Sequence, residues 1–404
     1  MQLSGFVVSI ILTLWTLAIH IFADYPLIQL YPFFVRTNIP TLKSTNLLPA
    51  SCIIEEININ KKVIPQRKEL FYVSNKYRET CRDLVKPKML ELYKDINKIE
   101  AQILCLRNMY TTYAGVAANN ENAFHPVKKL WFYDDTGGNV TGSYETVISL
   151  GHSNCISYSH FFQDTIAPLM LIPKDVWEKA YIVGYGIPQV VTETFQLLGF
   201  ENRIIKLRMK QWIFAQKLYI AINPRPYISH YGTAFLNLSK ILRSYFKTED
   251  IIPTEYVFMN RNSKMRNIAN MEEIFNAVKQ NFPQIPWKIK QDDYGTLKES
   301  SSGWAIIKFI FTPTGSNVIR CLFMKEKTAC ILAMGQFYDA SVMKQLGTLE
   351  IYTCVFIVNR MDHWNSTPNI VDIPEILGLF RAAIHHLENG TWPGVSDQTH
   401  TFIA

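Results

Sequence analysis

Apolar positions along this chain follow two rhythms. Short runs of strand length, Ala180–Val183, Arg203–Leu207 and Lys217–Ala221, alternate with stretches whose apolar residues recur three and four apart. Ser159–Leu171 predicts a helix stopped by Pro173, Pro188–Leu198 a helix closed by Gly199, and Gly232–Phe246 a third. After a polar hinge, Lys247–Pro253, the alternation restarts. It predicts strand Glu255–Met259, helix Asn270–Asn281, strands Trp287–Lys290 and Ala305–Phe311, helix Asn317–Phe323 and strand Ala329–Leu332. Asp372–Leu387 reads as an amphipathic closing helix with Pro374 in its first turn. Upstream, Lys86–Leu106 predicts a helix, and Leu130–Tyr133 a strand ended by the turn at 134–138. Such alternation predicts an α/β chain with two mainly parallel sheets, which hold ligands beyond the carboxyl ends of their strands.

The first residues change the picture. After a short tail at 1–4, Gly5 to Ala23 contains no charged residue, His20 being neutral at pH 7. Roughly 19 residues rising 1.5 Å each span about 28 Å, close to the hydrocarbon thickness of a bilayer. This stretch is a signal anchor or a cleaved signal peptide, and either carries the rest into the secretory pathway. The sequons Asn139-Val-Thr, Asn237-Leu-Ser, Asn365-Ser-Thr and Asn389-Gly-Thr suit lumenal exposure. The predicted organisation is then stem and lead-in at 24–85, a first α/β domain at 86–247, a second at 248–360, and a closing helix and tail at 361–404.

Length and composition add bounds. The 404 residues are 48% hydrophobic and 19% charged, enough for two packed cores. Seven cysteines stand singly at 52, 81, 105, 155, 321, 330 and 354, without the paired spacing of a zinc site. One or two disulfides are expected in an oxidising lumen. The net charge of +7 suits an acidic ligand, but with no Lys/Arg block and no basic-aromatic interleaving nucleic acid is not expected.

Three stretches carry chemistry. Strand Glu255–Met259 runs into a loop with Arg261 and Arg266, where guanidinium groups can clamp phosphate oxygens; as a plain solvated turn the loop would show the same residues. Asn270 and Glu273 have the spacing of a capping box for the helix that follows. Thr314-Gly315-Ser316-Asn317 joins a strand to a helix, and a glycine there admits a close ligand. His160 and Asp164 share one helix face, where they serve either to deprotonate a hydroxyl or to lock the first helical turn. No Gly-x-Ser-x-Gly elbow is present, so a serine hydrolase is not indicated.

Taken in order, these stretches resemble glycosyltransferase family 61, the family of plant β-1,2-xylosyltransferases, the EGF-domain O-GlcNAc transferase and the protein O-mannose β-1,4-N-acetylglucosaminyltransferase. His160, Asp164 and Pro168 match its first motif. Arg261, Arg266, Ile268, Asn270, Glu272 and Glu273 match its second, and Gly315, Leu322, Phe323 and Met324 its third. The resemblance implies a GT-B architecture, two Rossmann-like domains facing a cleft, behind the N-terminal anchor helix. It implies inverting transfer of a sugar, GlcNAc or xylose foremost, from a UDP-sugar to a glycan or glycoprotein hydroxyl in the Golgi or endoplasmic reticulum. On this pattern Arg261, Arg266, Gly315 and Ser316 hold the diphosphate, with Thr314, Asn317 and Asn270 around the donor. His160 or Asp164 activates the acceptor. No cofactor or obligatory divalent metal is implied, and no Asp-x-Asp motif is present.

The chain also departs from the family. Thr314 stands in the place of a usual His, Ser316 of Ala, and Ala333 of Glu. These exchanges leave open a second reading, an inactive relative that binds glycans or partners.

Overall fold

The computed structural model describes residues 36–45, 48–58, 69–73, 102–125, 137–184, 188–222, 233–292, 295–335, 339–358, 369–392 and 400–403. The proposed anchor at 5–23, the strand Leu130–Tyr133, Asn365 and Cys81 lie outside them. Among the described residues no helix is long and apolar enough to cross a membrane.

Among the described residues one sheet has seven strands, all paired in parallel. Their order is Trp287–Lys290, Glu255–Met259, Ile307–Pro313, Ala329–Met334, Tyr352–Ile357, Glu69–Val73 and His400–Ile403. Every residue of Ala329–Met334 is buried, as expected of a strand covered on both faces. One face packs under Ile373–Asn389, the expected closing helix. Its Phe380 ring stacks on Phe258 at 5.3 Å and on Phe309 at 5.5 Å. Asp372 caps that helix by accepting from the Glu375 N–H at 3.1 Å.

The other sheet has ten strands and is mixed, which corrects the expectation of a mainly parallel sheet. Its centre is Gln211–Ile222, parallel to Gly138–Ile148 and antiparallel to Gln102–Thr112. The helix predicted over Lys86–Leu106 is likewise corrected from Gln102 onward. Ile103, Leu104, Cys105 and Leu106 are buried in succession, so both faces of the chain are covered there. A continuous apolar run mimics a helical period when it is sampled every third or fourth residue.

Two further expectations change. The stretch 24–85 is not a free stem throughout: Asn38–Ile39, Lys43–Thr45 and Ile53–Asn58 join the mixed sheet, and Glu69–Val73 crosses to the parallel one. None of the six described cysteines is paired, so the expected disulfides are absent among them. Cys321, Cys330 and Cys354 are buried inertly, and burial pushes the Cys330 thiol up to about 12.

Among the described residues the two sheets share no ladder, but they share a core. Ile148, Phe161 and Phe195 from the first half belong to one apolar cluster with Ile310, Val318 and Leu322 from the second. Thr233–Tyr245 helps to seal it, with buried Ser239 donating to the Leu322 carbonyl at 2.5 Å. Gln345 Nε2 donates to Gln163 Oε1 at 2.6 Å across the same seam. This seam brings together residues 157 and 159 apart in the chain.

Candidate functional site

A helical run at 158–169 supplies the first group of side chains. It begins with one α turn, Tyr158–His160, loosens into a π-helical stretch, Phe161–Ile166, and closes as Ala167–Leu169. π-Helical stretches of this kind are rare and concentrate at functional sites. All six residues of Phe161–Ile166 are buried, Asp164 among them.

Asp164 Oδ2 receives two imidazoles. His160 Nδ1 lies 2.7 Å away and His152 Nε2 2.9 Å away. The Asn154 N–H donates to His152 Nδ1 at 3.2 Å, which leaves Nε2 as the donor to Asp164. Burial alone would raise the Asp164 pKa. The hydrogen bonds from His152 and His160 outweigh it and hold the carboxyl below the usual carboxylate range. Asp164 is thus an anion that receives protons from two rings. The two histidines differ in access, His160 being 27% exposed and His152 2%. With Nδ1 committed to Asp164, His160 presents Nε2 outward.

The second group surrounds Gly315. Arg261 follows the strand Glu255–Met259, and its Nη1 donates to the Thr314 carbonyl at 3.2 Å. A Cβ built on Gly315 would lie 1.4 Å from that same Nη1. The glycine is therefore needed to seat Arg261, a closer demand than the ligand approach expected from sequence. Asn260 pins the base of the arginine loop, accepting from Ile268 N at 3.0 Å and donating to Ile268 O at 2.8 Å. Arg266 takes a left-handed backbone with φ 59°, unusual for a non-glycine residue, and is buried. Burial and the neighbouring Arg261 cation bring its pKa down to about 10, partly offset by Asp339. Burial also lowers Arg261, against the pull of Asp292. A buried and a half-buried cation that feel each other's charge favour an anion beside them.

Ser316 joins the two groups. Its hydroxyl lies 3.3 Å from both Ser157 Oγ and Ser159 Oγ at the start of the His160 helix. The other sequence candidates divide. Thr314 Oγ1 donates to Asp339 Oδ2 at 3.0 Å. Asn317 Nδ2 donates to Thr312 Oγ1 at 3.1 Å, while its Oδ1 is buried with no partner among the described residues. Asn270 spends both ends of its amide on Val371, at 2.8 and 3.0 Å, and makes no side-chain cap. The expected capping box is thereby corrected. Asn270 ties the loop to the segment before the closing helix.

Sequence reasoning missed four contributors: His152, Asp339, Arg320 and Asn260. Arg320 pairs with Asp292, donates to Ser300 Oγ at 3.2 Å and lies 4.9 Å over the Tyr158 ring. His152 precedes the motif by eight residues in a loop, and Asp339 follows it across a strand, so no local period marked them.

His152, Cys155 and Asp164 place one potential ligand atom each within 4.8 Å of the others. They do not fit a metal ion as they stand. His152 already uses both ring nitrogens, one of them on Asp164 itself, and its backbone N–H donates to Cys155 Sγ at 3.3 Å.

Compared with known families, residues 158–331 match the family model described as Glycosyltransferase 61. No curated protein matches the chain.

Proposed function

Through residues 158–331 the chain belongs to glycosyltransferase family 61, and on that premise we propose that it transfers a sugar from a UDP-sugar to a glycan or glycoprotein hydroxyl with inversion at the anomeric carbon. One observation carries this reading: the 3.3 Å contacts of Ser316 with Ser157 and Ser159, which put the His160 turn against the Arg261–Gly315 turn. A base and an anion site adjoin there, as a single displacement requires.

In the proposed reaction His160 Nε2 takes the proton of the acceptor hydroxyl. Asp164 stabilises the imidazolium through Nδ1–H, and His152 holds Asp164 in place. The acceptor oxygen bonds to the anomeric carbon as the bond to the diphosphate oxygen breaks, and the nucleotide departs with the electron pair. Arg261 and Arg266 balance the charge gathered on the leaving diphosphate, so the proposal assigns no step to a divalent metal. The two sheets with their shared seam support a GT-B reading in which the parallel sheet carries the donor.

A donor screen by binding and hydrolysis, UDP-GlcNAc and UDP-xylose first, tests the assignment. Replacing Arg266 by Ala should weaken UDP binding by about 10-fold or more, since a charge-assisted hydrogen bond contributes about 1.5–3 kcal/mol. Isothermal titration reads this directly, and unchanged UDP affinity would remove Arg266 from the diphosphate site.

The same proposal places the protein in the Golgi or endoplasmic reticulum membrane, held by residues 5–23. Asn139, Asn237 and Asn389 are exposed, which supports glycan attachment. Asn389 ends the closing helix, and Gly390 and Thr391 after it are exposed too, so it is the most accessible of these sites. Asn389→Gln should shift the secreted-pathway protein to faster gel mobility by one glycan. Equal mobility before and after glycosidase treatment of the parent protein would refute lumenal residence.

A further inference from the structure

Phosphate accounts for the arginines around Gly315 but not for the oxygens there. Asp339, which opens the helix Ala340–Thr348, is half-buried and accepts three hydrogen bonds. Oδ1 takes them from Ser341 Oγ at 2.9 Å and Val342 N at 3.4 Å, and Oδ2 takes one from Thr314 Oγ1 at 3.0 Å. A carboxylate has about four lone-pair directions, so one remains, on Oδ2. In the same turn, the Asn317 Oδ1 is buried without a partner among the described residues and lies 3.2 Å from where a Gly315 Cβ would be. Two acceptors therefore flank one turn with unused capacity. A phosphate oxygen at pH 7 is itself an acceptor and can satisfy neither.

Helix capping explains only part of Asp339. Asn or Ser would cap as well, without setting a negative charge beside an anion site. A buried acceptor left unpaired costs about 1–3 kcal/mol, so Asn317 Oδ1 likewise needs a donor.

We propose that Asp339 Oδ2 and Asn317 Oδ1 form a hydroxyl-recognition subsite beside the arginines, which binds a sugar ring of the donor through its hydroxyl groups. This rests on the nucleotide-sugar reading above and adds to it the residues that separate a sugar-bearing nucleotide from a bare diphosphate. The hydroxyls belong either to the ribose or to the transferred sugar. Arg266, an electrostatic neighbour of Asp339, offsets the carboxylate charge so that the two ligand parts can sit together.

Asp339→Asn tests the subsite, because it keeps the cap and the shape while removing the charge. The full-length protein and the variant are titrated with inorganic pyrophosphate, UDP and UDP-GlcNAc. The expected result is pyrophosphate binding unchanged or tighter, with a loss of about 10-fold or more for UDP-GlcNAc. An equal loss for UDP assigns the ribose, and a loss confined to UDP-GlcNAc assigns the transferred sugar; both support the subsite. Parallel changes for all three probes, or none, would overturn it. Asp339→Ser, also a good cap, must repeat the pattern; a variant that loses pyrophosphate as well marks Asp339 as only structural. If the parent protein binds pyrophosphate and UDP, the nucleotide-sugar reading stands whatever Asp339 does. If it binds none of the three probes, both fall.

Discussion

Replacing His160 by Gln should lower the turnover of sugar transfer by about 10²–10⁴-fold, the range for loss of a positioned general base. The donor's KM should barely move. Gln keeps a polar side chain beside Asp164 but has no basic nitrogen to take a proton. His160 is more exposed than its partners, at 27% against 2%, so its loss leaves the packed π-helical turn largely intact. Steady-state kinetics with a thermal melt on the same sample separates the two effects. A fall in turnover of less than about 10-fold with normal melting would exclude His160 as the base. Asp164 accepts from both imidazoles and is held as an anion, which suits it to orienting His160.

The second large effect concerns Gly315. An alanine Cβ would meet Arg261 Nη1 at 1.4 Å. The guanidinium is the movable partner, so Arg261 swings away from the Thr314 carbonyl and from the ligand, while φ 156° at this position strains the backbone under any side chain. Donor affinity should fall by about 10–150-fold, as for direct loss of a charge-assisted hydrogen bond. The double variant Gly315→Ala, Arg261→Ala decides the cause. If Gly315 acts through Arg261, the alanine adds almost nothing once the arginine is gone. Additive losses would mean that Gly315 acts independently of Arg261, through its φ of 156° or by meeting the ligand directly.

The parts of the site legible in sequence were those whose partners lie close along the chain. His160 and Asp164 are one helical turn apart, and their 2.7 Å contact follows from that spacing. Arg261 was visible as an arginine just beyond a strand. Asn270 matched a family position and a capping spacing, yet its amide is held by Val371, about 100 residues away. His152 was hidden in a loop with no periodic signal. Asp339 carried no signal in the sequence, because nothing local shows that Thr314 donates to it.

The fold divides in the same way. For the parallel sheet, each strand and its crossover helix are neighbours in sequence, and Trp287–Lys290 and Glu255–Met259 appear with their predicted bounds. The outer strands Glu69–Val73 and His400–Ile403 come from the two ends of the chain, and only pairing assigns them to a sheet. Gln102–Thr112 became a strand because both of its faces are covered, which an apolar run cannot announce.

By itself, then, the sequence determined the α/β alternation, the arginine loop, the glycine turn and the His160–Asp164 pair, because spacing and local sterics act over a few residues. Tertiary structure decided that Gly315 serves Arg261, that Ser316 meets the His160 helix, and that Asp164 has a second imidazole. Only the second of those crosses the seam, between residues 157 and 159 apart; Arg261 and Thr314 are 53 apart and His152 and Asp164 12 apart, and in each case packing joins them without leaving a local mark.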